Sequence, residues 1–233
     1  MSEIVTYTEQ EKYSLIQMDD GKANAVSFDM LAQLGAALDK AEIAGKVVVI
    51  AGRPGKFSAG FDLSVMGQGG DAMVKLVAGG GDLARRMLRF PTPVVLAVTG
   101  HALAMGAIML MSADYRIGTA GPYKIGLNEV AIGMTLPYFG VEIARAKLTP
   151  SHFDRAVNCG VLYDADGAVD AGYVDEAVDV DQLMNRAIAV AEQLSGINMN
   201  AHKGSKDRVR APLYAALAEA EKLDAESLAE LMS

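Results

Sequence analysis

The chain has a single cysteine, Cys159, which excludes an internal disulfide and points to a reducing compartment. Cys159 itself reads as a small packed apolar thiol rather than a nucleophile. Basic residues are in deficit, with 21 Lys and Arg against 29 Asp and Glu, a net charge of −8 and a pI near 4.9. That balance argues against nucleic acid as a partner, because phosphate backbones are met by basic faces. No apolar run reaches the ~18 residues of a membrane span. The longest one, Val94 to Met111, is broken by Thr99, Gly100, His101 and Gly106. The first residues, MSEIVTYTEQEKYS, are acidic and lack the apolar stretch of a signal peptide, so cytoplasm is the expected location and no membrane is expected as partner.

What is present is apolar and rich in glycine. Hydrophobic residues make up 51% of the 233 and charged ones 21%, enough for one globular domain with a sizeable core. The 13 methionines fill that core or line a pocket for a variable apolar chain.

Apolar periodicity predicts strands at Glu3–Thr8 and Tyr13–Met18, with a turn at Asp19-Asp20-Gly21-Lys22. Ser27 caps a helix from Phe28 to Ala44. Lys46–Ala51 and Val94–Val98 are uniformly apolar, as strands buried on both faces are. A helix over Ala72–Arg89 carries an interruption at Gly79-Gly80-Gly81 and ends before Pro91 and Pro93. Leu103–Ser112 reads as a buried helix and Tyr115–Gly118 as a third buried strand. Such alternation predicts an α/β core with right-handed crossovers. Beyond Thr149 the chain turns mostly helical. A helix starts at Pro150-Ser151, and others cover Ala165–Gly172, Asp181–Leu194 and Leu213–Met232, with a strand at Tyr173–Val178. A composition shift near Ser195-Gly196 divides a core, residues 1–195, from a helical region, residues 196–233.

Three segments carry candidate chemistry. In Lys56-Phe57-Ser58-Ala59-Gly60-Phe61-Asp62-Leu63, small residues after a buried strand let a ligand approach the backbone. Thr99-Gly100-His101-Ala102-Leu103-Ala104-Met105-Gly106-Ala107 repeats that design. Two such junctions can aim two backbone N–H groups at one oxyanion, although small residues equally serve close helix–strand packing. His101 reads as a hydrogen-bonded structural residue. In Ile125-Gly126-Leu127-Asn128-Glu129-Val130-Ala131-Ile132-Gly133-Met134, apolar neighbours should raise the Glu129 carboxyl toward a pKa useful for proton transfer, unless the residue faces solvent.

In order and spacing these segments resemble the crotonase (enoyl-CoA hydratase/isomerase) superfamily over roughly residues 4 to 195. FSAGFDL is followed by PVVLAVTGHALAMGA, then Asp114-Tyr115-Arg116-Ile117, then IGLNEVAIGM; Lys22-Ala23-Asn24-Ala25 resembles the family's early coenzyme A turn. The resemblance implies an α/β spiral of ββα units with a C-terminal helical region, assembled as a homotrimer or dimer of trimers. It implies an acyl-CoA thioester as substrate, with no metal and no cofactor apart from the coenzyme A of the substrate. The oxyanion donors it implies are the N–H groups of Ala59 and Met105, where Met105 replaces the usual glycine. Coenzyme A contacts are implied at Lys22, Ala23, Ser58, Gly60, Phe61, Asp62 and Leu63. Lys203 and Lys206 either reach the phosphates or lie on a solvated helix face.

Family hydratases hold a water between two glutamates. Here the first of those positions is Ile108 and only Glu129 remains, as in Δ3,Δ2-enoyl-CoA isomerases. The expected activity is therefore that isomerisation, with Glu129 as proton shuttle. The alternatives are an enoyl-CoA hydratase with a non-standard acid site and an inactive acyl-CoA-binding homologue. A serine hydrolase built on Ser58 and His101 lacks a nucleophile-elbow pattern.

Overall fold

The computed structural model describes residues 2–230. The chain opens with β1 (Val5–Glu9) and β2 (Tyr13–Met18), then α1 (Phe28–Ala44). It continues through β3 (Val47–Ala51), β4 (Gly55–Ser58), the short α2 (Leu63–Met66) and the long α3 (Gly70–Arg89). Next come β5 (Val94–Val98), β6 (Gly100–Leu103), α4 (Met105–Met111), β7 (Tyr115–Thr119), β8 (Ile125–Gly126) and a single 3-10 turn, Val130–Ile132. The remainder is α5 (Tyr138–Lys147), α6 (Pro150–Cys159), α7 (Ala165–Ala171), β9 (Glu176–Val178), α8 (Leu183–Ser195), α9 (Met199–Val209) and α10 (Ala211–Glu230).

Strands alternate between two sheets. A large sheet has the order β1-β2-β3-β5-β7-β9, and a small one the order β4-β6-β8. Only the β1–β2 pair is antiparallel among the described residues. Each turn of the chain thus lays one strand in each sheet before a helix returns it, which is a spiral of ββα units. The uniformly apolar β3 and β5 follow from their position. Val48, Ile50, Val94, Leu96 and Val98 face the main core, while Val47, Val49, Ala51, Val95 and Ala97 face a second core closed by Leu183, Ala187, Val190 and Ala191 of α8.

The first helix forms as its sequence dictates. Ser27 Oγ accepts from the Met30 N–H at 3.2 Å, and Gly45 ends the helix in the left-handed conformation. Helix α3 runs without a break through Gly79-Gly80-Gly81, contrary to the expected interruption. Three glycines cost about 1 kcal/mol each in helix propensity. They are accommodated because neighbours press on the helix there, as set out below.

Three helices were not predicted from periodicity, the short α2 among them. Helix α9 (MNAHKGSKDRV) is mostly polar, with Met199 packed against the second core and Lys206 buried. Helix α5 has no side-chain cap of its own; Asp224 of α10 accepts from the N–H groups of Tyr138 and Phe139 at 2.7 and 3.0 Å. The end anticipated for the last helix at Met232 lies outside the described residues. Cys159 is exposed, not packed. Ala156 and Val157 take the inward face of α6, and helical spacing turns position 159 outward. Lys206 is also corrected. Its Nζ is 2.6 Å from Asp114 Oδ2 and donates to the Phe90 carbonyl at 2.9 Å, so it reaches into the fold and not toward a ligand. Lys203 lies on a solvated face, paired with Asp207.

Candidate active site

The site is assembled where β4 and β6 run side by side. Gly55 pairs with Gly100, Lys56 with His101 and Ser58 with Ala102. The two chain reversals that follow, at 59–62 and at 104–105, therefore stand next to each other. A Cβ on Gly60 would lie 2.7 Å from Ala104 Cβ and 3.4 Å from Met105 N. A Cβ on Gly106 would lie 2.7 Å from the Ser58 carbonyl. Both glycines are thus required by the close approach of the two junctions, and Ala104 adopts a positive φ of 50° to complete the turn.

The segment from Ala23 to Val26 lies along the first junction. Val26 donates to the Gly60 carbonyl at 2.8 Å, and Asp62 donates to the Val26 carbonyl at 3.2 Å. Asn24 locks this arrangement. It is fully buried at φ 49°, and its Nδ2 donates to the carbonyls of Met18, Lys56 and Phe57 at 3.0–3.2 Å. Sequence reasoning quoted Asn24 without giving it a role. The signal was there: an asparagine after Asp20-Gly21 suits a left-handed turn position.

This zipper alters the expected donor pair. Ala59 gives its N–H to the Ala23 carbonyl at 3.0 Å, so it has no free proton for a ligand. The N–H groups of Phe61 and Met105 have no acceptor among the described residues. Phe61 sits between two residues engaged with Val26, and the alternation of a strand-like bridge leaves its N–H pointing the other way. Met105 is the first residue of α4, whose opening N–H groups have no partner within the helix.

The other expected contacts divide. Lys22 is exposed and Ala23 half-buried at the mouth of the turn. Leu63 is exposed and Phe61 half-buried. Ser58 is buried, with its Oγ donating to the Asn24 carbonyl at 2.8 Å, so its hydroxyl serves the turn and cannot meet a ligand. Gly60 is also enclosed, and contributes room rather than contact. Asp62 caps α2 through Ser64, whose hydroxyl and N–H hold its carboxyl below the usual range. His101 accepts at Nδ1 from the Lys124 N–H at 3.0 Å and meets the Tyr123 ring edge-on. Burial, with Lys56 and Lys124 nearby, keeps its imidazole pKa below the ordinary value. Both residues are structural.

Glu129 differs from every other acid among the described residues. It is 7% exposed, and its Oε2 is buried with no hydrogen-bond partner among the described residues. Burial pushes its carboxyl up to about 7. The Gly126 φ of 151° and the pairing of Ile125 with Tyr163 lead the chain into this segment, and the Ile132 and Met134 N–H groups close back on the Glu129 carbonyl. Tyr173 is fully buried, and burial raises its phenol pKa further than the Glu129 charge does. Ile108 is buried with its Cδ1 near Gly140 of α5, so no second carboxylate stands at that place in α4. A groove of about 500 Å³, lined by Val130, Met134, Leu136, Val141 and Val157 among others, adjoins the Glu129 segment.

An unpaired carboxyl raised to about 7 and two N–H groups without acceptors are the kinds of group that proton transfer next to a carbonyl becoming an oxyanion requires. The enoyl-CoA hydratase/isomerase family model matches residues 8–233. A crystal structure of an enoyl-CoA hydratase/isomerase family protein from Pseudomonas syringae is 46% identical, covering 97% of this chain and 98% of that one, with a TM-score of 0.95. An enoyl-CoA isomerase of Mycobacterium tuberculosis is 38% identical over 97% of this chain and 99% of its own, with a TM-score of 0.93. Human mitochondrial enoyl-CoA delta isomerase 1 is 26% identical over 225 residues, which is 94% of this chain and 74% of that protein. The chain belongs to the enoyl-CoA hydratase/isomerase (crotonase) family of enzymes.

Proposed function

We propose that the protein moves a double bond in a 3-enoyl-CoA thioester into conjugation, with Glu129 as the only proton carrier. The observation that supports this most is the state of Glu129, buried, unpartnered and raised to about 7, in a site where Ile108 and not an acid occupies α4. The thioester oxygen accepts from the N–H groups of Phe61 and Met105. Glu129 removes a proton from C2. The C2–H electron pair enters the π system, and negative charge builds on the thioester oxygen of a dienolate. Glu129 then returns its proton at C4, leaving the double bond between C2 and C3. No water is consumed, so one carboxylate suffices. Loss of a single oxyanion donor typically costs about 10²–10³ in kcat, so the two N–H groups account for much of the rate. The apolar groove beside Glu129 offers room for the acyl chain. In this reading coenzyme A is received by the turn at exposed Lys22 and half-buried Ala23, with Phe61 and Leu63.

A second reading, hydration of 2-enoyl-CoA, has one specific support: the M. tuberculosis relative described as an isomerase in one structure is described as a probable enoyl-CoA hydratase in another. Purified protein assayed on 3-enoyl-CoA and 2-enoyl-CoA side by side separates the two. Faster turnover of the 3-enoyl thioester is expected. Hydration of the 2-enoyl thioester as the dominant activity overturns the isomerase reading.

A further inference from the structure

The three consecutive glycines of α3 face three different parts of the molecule. A Cβ on Gly79 would meet only Leu31 Cδ1 of α1, at 2.8 Å. A Cβ on Gly81 would meet Phe139 of α5 at 3.5 Å, besides the Arg85 guanidinium. A Cβ on Gly80 would stand 2.6 Å from Phe61 Cε1, nearer still to Cζ, and 3.2 Å from Met105 Sδ. Phe61 and Met105 come from separate junctions, and each has an N–H group without an acceptor among the described residues. Their side chains converge on one bare patch of helix backbone at Gly80.

We infer that Gly80 is a positioning residue for the oxyanion hole: by letting the Phe61 ring and the Met105 thioether rest against α3, it sets the separation and aim of the two N–H donors. The inference rests on the reading that these N–H groups hold the thioester oxygen. Met105 is fully buried and cannot withdraw. The Phe61 ring is joined through its Cβ to the Cα that follows its N–H, and the far edge of that ring is what Gly80 meets. A methyl group at position 80 must therefore push the ring, and with it the backbone, or hold α3 off both side chains. Displacements near 1 Å at a reacting centre cost about 100-fold in rate.

The test compares Gly80→Ala with Gly79→Ala, a neighbour in the same helix that touches neither donor residue. Turnover of 3-enoyl-CoA is measured together with the absorption of bound 2,4-hexadienoyl-CoA, whose conjugated carbonyl shifts to the red when two N–H groups polarise it. Gly80→Ala is expected to lower kcat about 100-fold with KM little changed, and to lose the red shift. Gly79→Ala is expected to keep both. The double variant Gly80→Ala/Phe61→Leu, which trims the ring, is expected to regain turnover and red shift relative to Gly80→Ala. Wild-type kcat and red shift in Gly80→Ala overturn the inference, as do equal losses in both alanine variants. If Gly80→Ala does not fold, the double variant decides: red shift recovered with the fold supports the inference, and a folded protein without it refutes it. A wild-type protein that shows neither turnover nor red shift instead defeats the proposed oxyanion hole itself.

Discussion

Lys206 of α9 and Asp114, just before β7, hold one another at 2.6 Å inside the fold, and Arg210 joins the same carboxylate at 2.9 Å. Lys206 also donates to the Phe90 carbonyl, and Arg210 to those of Leu88 and Ala113. The cations of α9 and its end are thus struts between the helical tail and the α/β core. Removing one partner of a buried ion pair costs about 3–5 kcal/mol where it strands the other, whereas Asp114 keeps Arg210 and the Val94 N–H when Lys206 is lost. Lys206→Ala should therefore lower stability by less than that amount in urea denaturation, with KM for acyl-CoA unchanged. A raised KM at unaltered stability would return this lysine to the phosphate-binding role, one of the two readings its sequence allows.

Glu129→Gln should reduce turnover by at least about 10²–10⁴-fold while leaving coenzyme A binding intact, the usual range for loss of a general base. Isothermal titration with a coenzyme A thioester, beside the kinetic assay, separates the two effects. Near-normal kcat in this variant would sink the single-base mechanism.

The same substitution should stabilise the protein, and the effect should depend on pH. The folded pKa of Glu129 is raised, from 4.5 to about 7. The unfolded chain therefore gives up this proton more readily, and wild-type stability falls as pH rises from about 4.5 to 7, then levels off. Over that interval the loss is on the order of 3 kcal/mol. Glutamine carries no charge to desolvate. Glu129→Gln should raise Tm at pH 8 and have little effect on it at pH 4.5. An equal Tm difference at both values would show that the carboxyl titrates normally.

Turnover should follow the carboxylate. Glu129 abstracts a proton only when ionised, so kcat/KM should climb through about pH 7 and plateau above it. Activity flat from pH 5 to 8 would mean that an acid of ordinary pKa does the work.

Asn24 is predicted to matter as much as any residue that touches substrate. Asn24→Ala removes three side-chain hydrogen bonds to buried or part-buried carbonyls and places alanine at φ 49°. A loss of about 3 kcal/mol or more is expected. Asn24→Gly tolerates the conformation and should lose less. Thermal denaturation of the two variants checks the order, and a smaller loss for alanine than for glycine would refute it.

Much of this was legible in the sequence for identifiable reasons. Helix α1 was bounded correctly because Ser27 and its apolar spacing are local signals. The strands β3 and β5 were legible because a two-sided core leaves uniformly apolar runs. The raised carboxyl of Glu129 could be anticipated from its apolar neighbours. Long-range pairing could not. That Phe61 and not Ala59 has an N–H without an acceptor depends on which N–H the Ala23–Val26 segment consumes, and that register is invisible until the chain is folded. Lys206 looked like a surface lysine because its partner, Asp114, lies far away in sequence. Gly79-Gly80-Gly81 looked like a break because helix propensity was weighed without the neighbours that press on it.

The cap that Asp224 provides to α5 has a consequence for how the protein is made. Helix α5 carries Gly140, against which Ile108 packs, and its start borders the groove beside Glu129. On a ribosome, Phe61, Met105 and Glu129 emerge well before Asp224. The nascent chain therefore holds these three residues for some time before the last helix docks and caps α5, and proteases that nibble α10 back past Asp224 would loosen α5 without cutting near any of the three.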